Sequence, residues 1–256
     1  MIIQCKTVSP LALGAIDETT WTSDNALSVW CSAWRRWLPE STAYLTTLLQ
    51  ADERQKSLQF RFADDQTRYA LARAWLRHLL GKHLRTAPKH LPLVRNHRDK
   101  PSLALPNAMQ FSVSHSGEWI AIALAPPHIL VGIDIEPIQP TALVNWQSIS
   151  QAYFCAAEQQ YLSQQSACQA PTEFVRLWTR KEALLKAVGA GLSEDITHLP
   201  TVDGTYIIDN GLLSGYFGQI EALYVYTWQY AGYWFSLASN CDLPFRFHIA
   251  DTIICS

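Results

Sequence analysis

Apolar and polar positions alternate most clearly in the middle of the chain. The stretch "MQFSVSHSGEWIAIALA" (109–125) alternates, breaks at Ser116-Gly117 and resumes, which predicts two strands joined by a turn. "VGIDIEP" (131–137) predicts a third strand, with Val131, Ile133 and Ile135 on one face and Asp134 and Glu136 on the other. Helical spacing takes over on either side. Tyr69, Ala72, Leu76, Leu79 and Leu80 predict an amphipathic helix over roughly 65–84, with Asp64 or Asp65 as its cap and Gly81 near its end. "SQAYFCAAEQQYLSQQ" and "TEFVRLWTRKEALLKAVGAGL" also read as helical. Residues 1–50 read as short strands and turns: "ALSVWCSAW" alternates weakly and "RRWLPE" breaks it. Residues 86–107, rich in Pro, His, Arg and Asn, read as a loop. The last part of the chain is β-rich, with turn signals at Asn210-Gly211 and around Gly232. Strands and helices in this mixed order argue for an α+β fold rather than a regular βαβ repeat.

A faint internal echo runs through the pattern. Leu76, Gly81 and Leu84 have the spacing of Leu184, Gly189 and Leu192, and Gly117-x-Trp119 resembles Gly232-x-Trp234. Two related α+β halves would produce such an echo, and so would chance.

The chain has 256 residues, 48% of them hydrophobic and 16% charged, with a net charge of −2. That is enough for one large domain or two modest ones of about 100–130 residues. The near-neutral balance argues against an extended nucleic-acid or membrane footprint. The opening "MIIQCKTVSP" has no basic region followed by a long apolar run, and no apolar stretch approaches the ~18–20 residues that cross a bilayer. Six scattered cysteines, with no CxxC and no zinc-like Cys/His spacing, fit a reduced intracellular protein.

Candidate chemistry begins with Asp134 and Glu136. Residues two apart in a strand share a face, with Cα atoms about 6.6 Å apart. Two convergent carboxylates suit a hard cation such as Mg²⁺, although a half-exposed strand shows the same alternation. Trp178, Glu182 and Lys186 lie at i, i+4 and i+8, so Glu182 could add a third carboxylate and Lys186 a cation one turn on. Taken alone, that row is also an ordinary surface Glu–Lys pair. Ser114 and His115 stand at a strand end before a turn, where they could bind a phosphate. No G-x-S-x-G elbow supports a serine hydrolase, and no glycine-rich phosphate loop occurs. Arg54, Lys56, Arg61, Arg68, Arg73, Arg77 and Lys100 form a basic cluster, which a solvated helix surface also accounts for.

In chain order the motifs are "RDKP", "FSVSHSG", "VGIDIEP", "FCAAEQQYL" and "LWTRKEALLKAVGAGL". The set resembles the 4′-phosphopantetheinyl transferases, specifically the larger surfactin-type (Sfp-like) class. That pattern runs GKP, (N/S)xSHS, (V/I)GxDxE, FxxxE and WxxKEAxxK. The resemblance covers roughly residues 50–195. Its one visible departure is Asp99, where the family commonly has Gly before Lys-Pro.

The resemblance implies an enzyme that moves the phosphopantetheine arm of coenzyme A to a serine of an apo acyl or peptidyl carrier protein, leaving adenosine 3′,5′-bisphosphate. It implies a pseudo-dimer of two similar α+β halves, 1–127 and 128–256, with the active site at their interface. The first half would carry coenzyme A-binding basic residues and the SHS motif, the second the metal and catalytic motifs. By motif, Asp134, Glu136 and Glu182 would hold magnesium, with Glu182, Lys186 and Asp134 as the catalytic set. Lys56, Arg68, Lys100, Ser114, His115, Lys181 and Lys186 would contact coenzyme A. Glu158 matches the FxxxE glutamate. Glu182 is the candidate base and His115 its rival. The resemblance further implies a monomer in the cytoplasm, serving fatty-acid, polyketide or non-ribosomal peptide synthesis, without nucleic acid or membrane partners. Carrier recognition would fall on the stretch after Glu136, where Ile138, Leu143, Val144 and Trp146 are candidates. The competing readings are a non-catalytic coenzyme A or nucleotide-binding module, a Mg²⁺-dependent phosphodiesterase or pyrophosphatase, and an interaction protein.

Overall fold

The residues described in the computed structural model are 1–9, 26–95, 100–139, 145–190, 196–209 and 220–250. The alternating stretches become strands as expected. The 109–125 pattern gives β5 (Gln110–Ser116) and β6 (Trp119–Ala125), and "VGIDIEP" gives β7 (Val131–Pro137). The remaining strands are β1 (Ile2–Thr7), β2 (Leu27–Ala33), β3 (Leu93–Arg95), β4 (Pro101–Leu103), β8 (Gly204–Ile207), β9 (Ala222–Tyr230), β10 (Tyr233–Ser239) and β11 (Phe245–Ile249). The helices are α1 (Pro39–Thr47), α2 (Ala51–Ser57), α3 (Ala63–Leu84), α4 (Trp146–Tyr153), α5 (Ala156–Ser163) and α6 (Ala170–Val188).

Two sheets carry the fold. One runs β7-β10-β9-β1-β8 and the other β11-β2-β6-β5, while β3 and β4 form a small ribbon. Their inner faces meet in one core, where Val131, Ile133 and Ile135 pack with Trp228, Phe235, Val29 and Ala121. The outer face of the second sheet, with Ile120, Ile122 and Leu124, is covered by α3 through Trp75, Leu76 and Leu79. The outer face of the first, with Ile3, Leu223 and Val225, is covered by α6 through Ala183, Leu184 and Ala187. The order of layers is therefore helix, sheet, sheet, helix. β6 is buried on both faces, which is why "WIAIALA" reads as an unbroken apolar run.

Each sheet contains the same connectivity. A strand leads into a long helix and then a hairpin: β2, α3, β5–β6 in one and β7, α6, β9–β10 in the other. In both, the three strands are antiparallel and the last in sequence lies in the middle. The Gly117-x-Trp119 and Gly232-x-Trp234 echo falls on the two equivalent hairpin turns. The helical half of the echo does not carry through. Gly189 ends α6 in the left-handed region, whereas Gly81 lies inside α3 and Arg85 takes the corresponding cap. Leu192 lies outside the described residues. A division at 127/128 falls between β6 and β7, but the terminal strands cross it. β1 pairs with β8 and β9, and β11 pairs with β2.

Several local expectations are corrected. Neither Asp64 nor Asp65 caps α3; they pair with Arg35 and Arg68 instead. Residues 39–47, within the stretch read as short strands and turns, form α1, and residues 51–57, to which no element was assigned, form α2. Pro39 opens α1, where its missing N–H costs nothing, and Gln50 with Glu53 makes a capping box on α2. The helical stretch from 150 breaks at Phe154, and Glu158 restarts it by accepting from the Cys155 N–H at 2.8 Å. The loop at 86–107 holds β3 and β4, with residues 96–99 outside the described set. Asn210-Gly211 also lies outside it.

Arg73 and Arg77 do not form a solvated surface. Both are buried against Glu53, with Nε–carboxylate distances of 3.1 and 2.7 Å, and Arg77 also donates to the carbonyls of Pro88 and Leu91. Removing the shared anion leaves two buried guanidinium groups without compensation. Glu53→Gln is expected to lower unfolding free energy by about 3 kcal/mol, read from urea denaturation. A loss below about 1 kcal/mol would show that water replaces the carboxylate there.

Candidate active site

The polar face of β7 is not solvent-exposed. α6 lies directly on it at Gly132. A Cβ at this position would stand 2.0 Å from the Ala183 carbonyl oxygen and 2.4 Å from the Ala187 nitrogen, so only glycine admits the helix. Asp134 and Glu136 follow Gly132 on the same face. Glu182 and Lys186, flanking the contact on α6, arrive beside them as the i, i+4 spacing predicts.

β5 supplies the third wall. Its alternate serines reach β7 in sequence. The Ser112 hydroxyl accepts from the Ile133 N–H at 3.0 Å, Ser114 donates to Asp134 Oδ1 at 2.9 Å, and Ser116 donates to Glu136 Oε2 at 2.9 Å. The result is a pocket of about 320 Å³ lined by Val113, Ser114, His115, Asp134, Glu136, Trp178, Glu182 and Lys186. Lys186 Nζ donates to Asp134 Oδ1 at 2.6 Å and to Ser114 Oγ at 2.9 Å. Asp134 Oδ2 is buried with no hydrogen-bond partner among the described residues. Ser112 and Ser116 were absent from the sequence-derived site; their alternate spacing with Ser114 was the available signal.

Burial first, and the neighbouring Asp134 second, push both Glu136 and Glu182 up to about 7. Lys186 opposes the rise in each case, and the Ser116 hydroxyl opposes it in Glu136. Burial pushes His115 down to about 4, helped by the charges of Arg68 and Lys186. The imidazole is neutral at pH 7, and its Nδ1 is buried without a hydrogen-bond partner among the described residues.

The other sequence-derived residues divide. Arg68 stands beside His115, donating to the Gly117 carbonyl at 2.8 Å and pairing with Asp65. Gly117 has φ 55°, and a Cβ there would meet the Tyr233 hydroxyl, so this turn also requires glycine. Lys100 lies next door, in a pocket of about 310 Å³ that shares Val113 and Lys186 with the first. Its Nζ donates to the carbonyls of Lys186 and Ala187 at 2.6 and 2.9 Å, which ties the loop to the end of α6, and burial lowers it to about 8. Asp99 lies outside the described residues. Lys56 does not line the carboxylate pocket; it borders a separate one of about 310 Å³ with Tyr69 and Arg95.

Lys181 is a correction. The residue after Arg180 points away from the pocket, and its side chain is fully buried. Nζ pairs with Glu158 at 2.9 Å and donates to the carbonyls of Ile196 and Leu199. Glu158 in turn accepts from the Thr201 N–H at 3.0 Å. The FxxxE glutamate and this lysine therefore fasten α5, α6 and residues 196–201 together, and neither reaches the site. Of the proposed recognition stretch, Ile138 and Trp146 pack partly buried against the Phe154–Phe174 cluster. Leu143 and Val144 lie outside the described residues.

Residues 130–237 match the model of the 4′-phosphopantetheinyl transferase superfamily, and residues 34–127 that of the 4′-phosphopantetheinyl transferase N-terminal region. The chain belongs to the 4′-phosphopantetheinyl transferase superfamily. It is 32% identical to 4′-phosphopantetheinyl transferase psf-1 of Bacillus pumilus, over 58% of this chain and 61% of the relative. It is 31% identical to 4′-phosphopantetheinyl transferase HetI of Nostoc sp., over 61% and 66%. It is 29% identical to human L-aminoadipate-semialdehyde dehydrogenase-phosphopantetheinyl transferase, over 66% and 58%. The chain thus spans less than two thirds of the length of these curated relatives.

Among the described residues no three His, Cys, Asp or Glu side chains stand assembled as a metal-holding group. The donor chemistry nevertheless suits a hard divalent cation, because the pocket gathers carboxylate and hydroxyl oxygens and leaves Asp134 Oδ2 unpartnered.

Two outcomes follow. Lys181→Met is expected to lower unfolding free energy by about 3–5 kcal/mol, because it strands Glu158 in the interior. It should also leave the affinity for coenzyme A, the ligand proposed below, unchanged in calorimetry of the folded protein; a tenfold weaker affinity would return Lys181 to the site. The raised carboxyls also set a pH trend. Glu136 and Glu182 bind protons more tightly when folded, so their stabilising contribution is full below about pH 4.5 and lost as pH rises through about 7. Melting temperatures from pH 4.5 to 8 should therefore drop more in the wild type than in Glu182→Gln. Parallel curves would contradict the burial of Glu182.

Proposed function

We propose that the protein transfers the 4′-phosphopantetheine arm of coenzyme A to a serine of an apo acyl or peptidyl carrier protein, releasing adenosine 3′,5′-bisphosphate. The observation that carries the proposal is the convergence of Asp134, Glu136, Glu182 and Lys186 from β7 and α6 beside Ser114 and His115 of β5. Family membership supports the same chemistry. The shared connectivity of the two sheets supports a pseudo-dimer of two α+β halves with this pocket at their seam. No described helix is long and apolar enough to cross a membrane. The working unit is a monomer acting in the cytoplasm.

Asp134, Glu136 and Glu182 are the residues that would hold magnesium. When bound, the ion supplies charge neutralisation on the pyrophosphate. Phosphoryl transfer needs positioning and positive charge on the developing oxyanions more than covalent help from the protein. Lys186 supplies such a charge at the leaving phosphate. His115, neutral at working pH, donates a hydrogen bond to a phosphate of coenzyme A, and Arg68 adds charge behind it. Lys100 holds the end of α6 while bordering the adjoining pocket, where part of coenzyme A lies. Lys56 belongs to a more distant phosphate contact. The carrier serine loses its Oγ proton to the Glu182 carboxylate. An imidazole pushed down to about 4 by burial is a weak proton acceptor, which favours the Glu182 carboxylate over His115.

The direct test is incubation with coenzyme A, Mg²⁺ and a panel of apo carrier proteins, with transfer read as a mass gain on the carrier. Glu182→Gln is expected to stay folded and to lose about 10²–10⁴-fold in rate. Near wild-type transfer by that variant would sink this mechanism. Breakdown of coenzyme A without a carrier would instead favour a phosphodiesterase.

A further inference from the structure

Lys186 occupies an unusual place for a side chain assigned to a substrate phosphate. Its Nζ sits on Asp134 Oδ1 at 2.6 Å and on the Ser114 hydroxyl at 2.9 Å, while Ser114 donates to the same Oδ1. One carboxylate oxygen at the centre of the acidic pocket is therefore already served by an ammonium group. Glu136 Oε2 is held by Ser116. A divalent ion taken by the open Asp134 Oδ2 would stand across one carboxylate from that ammonium, and like-charge repulsion opposes its entry while the lysine stays.

The surroundings allow the lysine to leave. Its side chain is 30% exposed, against 5% for Asp134, and it carries a flexible four-carbon stem. Its backbone cannot follow, because Lys100 binds the Lys186 and Ala187 carbonyls. The ammonium can swing away while the helix end stays fixed.

We propose that Lys186 is the site's own counter-ion, released from Asp134 by the phosphates of the ligand, so that a divalent cation is admitted together with a phosphate-bearing ligand and only weakly before it. The inference rests on the magnesium reading above. It adds that the lysine has two stations, the carboxylate and the phosphate, and that its movement couples the two binding events. Such coupling is reciprocal: the cation tightens the ligand by the same factor as the ligand tightens the cation.

The test uses Mn²⁺ as the cation probe and coenzyme A as the phosphate-bearing ligand, with free Mn²⁺ followed by electron paramagnetic resonance. Lys186→Met and Lys186→Gln remove the charge, two variants guarding against misfolding of one, and Lys186→Arg keeps it. In wild type, coenzyme A should tighten Mn²⁺ at least tenfold. Without coenzyme A, the neutral variants should bind Mn²⁺ at least tenfold more tightly than wild type, with Lys186→Arg close to wild type. Mn²⁺ affinities within twofold across wild type and both neutral variants would overturn the counter-ion role alone. Failure of wild type to take up Mn²⁺ even with coenzyme A would overturn the magnesium reading with it.

Discussion

The contact between α6 and Gly132 is the constraint on which the site depends. A helix backbone can approach a strand this closely only where the strand has no side chain, and the approach brings Glu182 and Lys186 over the two carboxylates that follow. One methyl group would lift the helix by more than the tolerance of a hydrogen bond. The glycine is thus a positional element of the site, although it has no functional group.

A second set of restraints holds α6 in register along its length. Arg180 is fully buried and donates to Thr227, the Thr201 carbonyl, Thr7 and Asp203. Thr179, Ser236 and Thr227 continue the chain of hydroxyls across the sheet. Lys181 and Glu158 fasten the adjoining face. The helix therefore presents three different chemistries: a pocket face, a buried polar face against β1 and β9, and an ion-paired face against α5. Buried polar groups of this kind are costly unless fully satisfied, and here they favour one rotation of the helix about its axis.

Much of this was legible beforehand. The hairpin at Gly117, the strand at 131–137 and the two long helices follow from periodicity, because a buried face imposes its spacing on the chain. The row Trp178, Glu182, Lys186 and the pair Asp134, Glu136 were identifiable for the same reason. α1 and α2 were missed because their apolar periodicity is weak and their start signals are a proline and a glutamine cap. Arg73, Arg77 and Lys181 were misjudged because charge on a helix gives no sign of whether an anion from another element will meet it in the interior.

The sequence by itself determined the local elements, the apolar faces and the residue types able to hold phosphate and a cation. Those depend on spacing within one segment. The tertiary structure alone decided which lysine faces the site, that the hydroxyls of Ser112 and Ser116 bridge β5 to β7, and that the terminal strands β1 and β11 pair with strands from the opposite end of the chain. These depend on the meeting of segments distant in the chain, where burial raises two carboxyls toward 7, depresses a histidine and pairs one lysine with Glu158 while leaving another on Asp134.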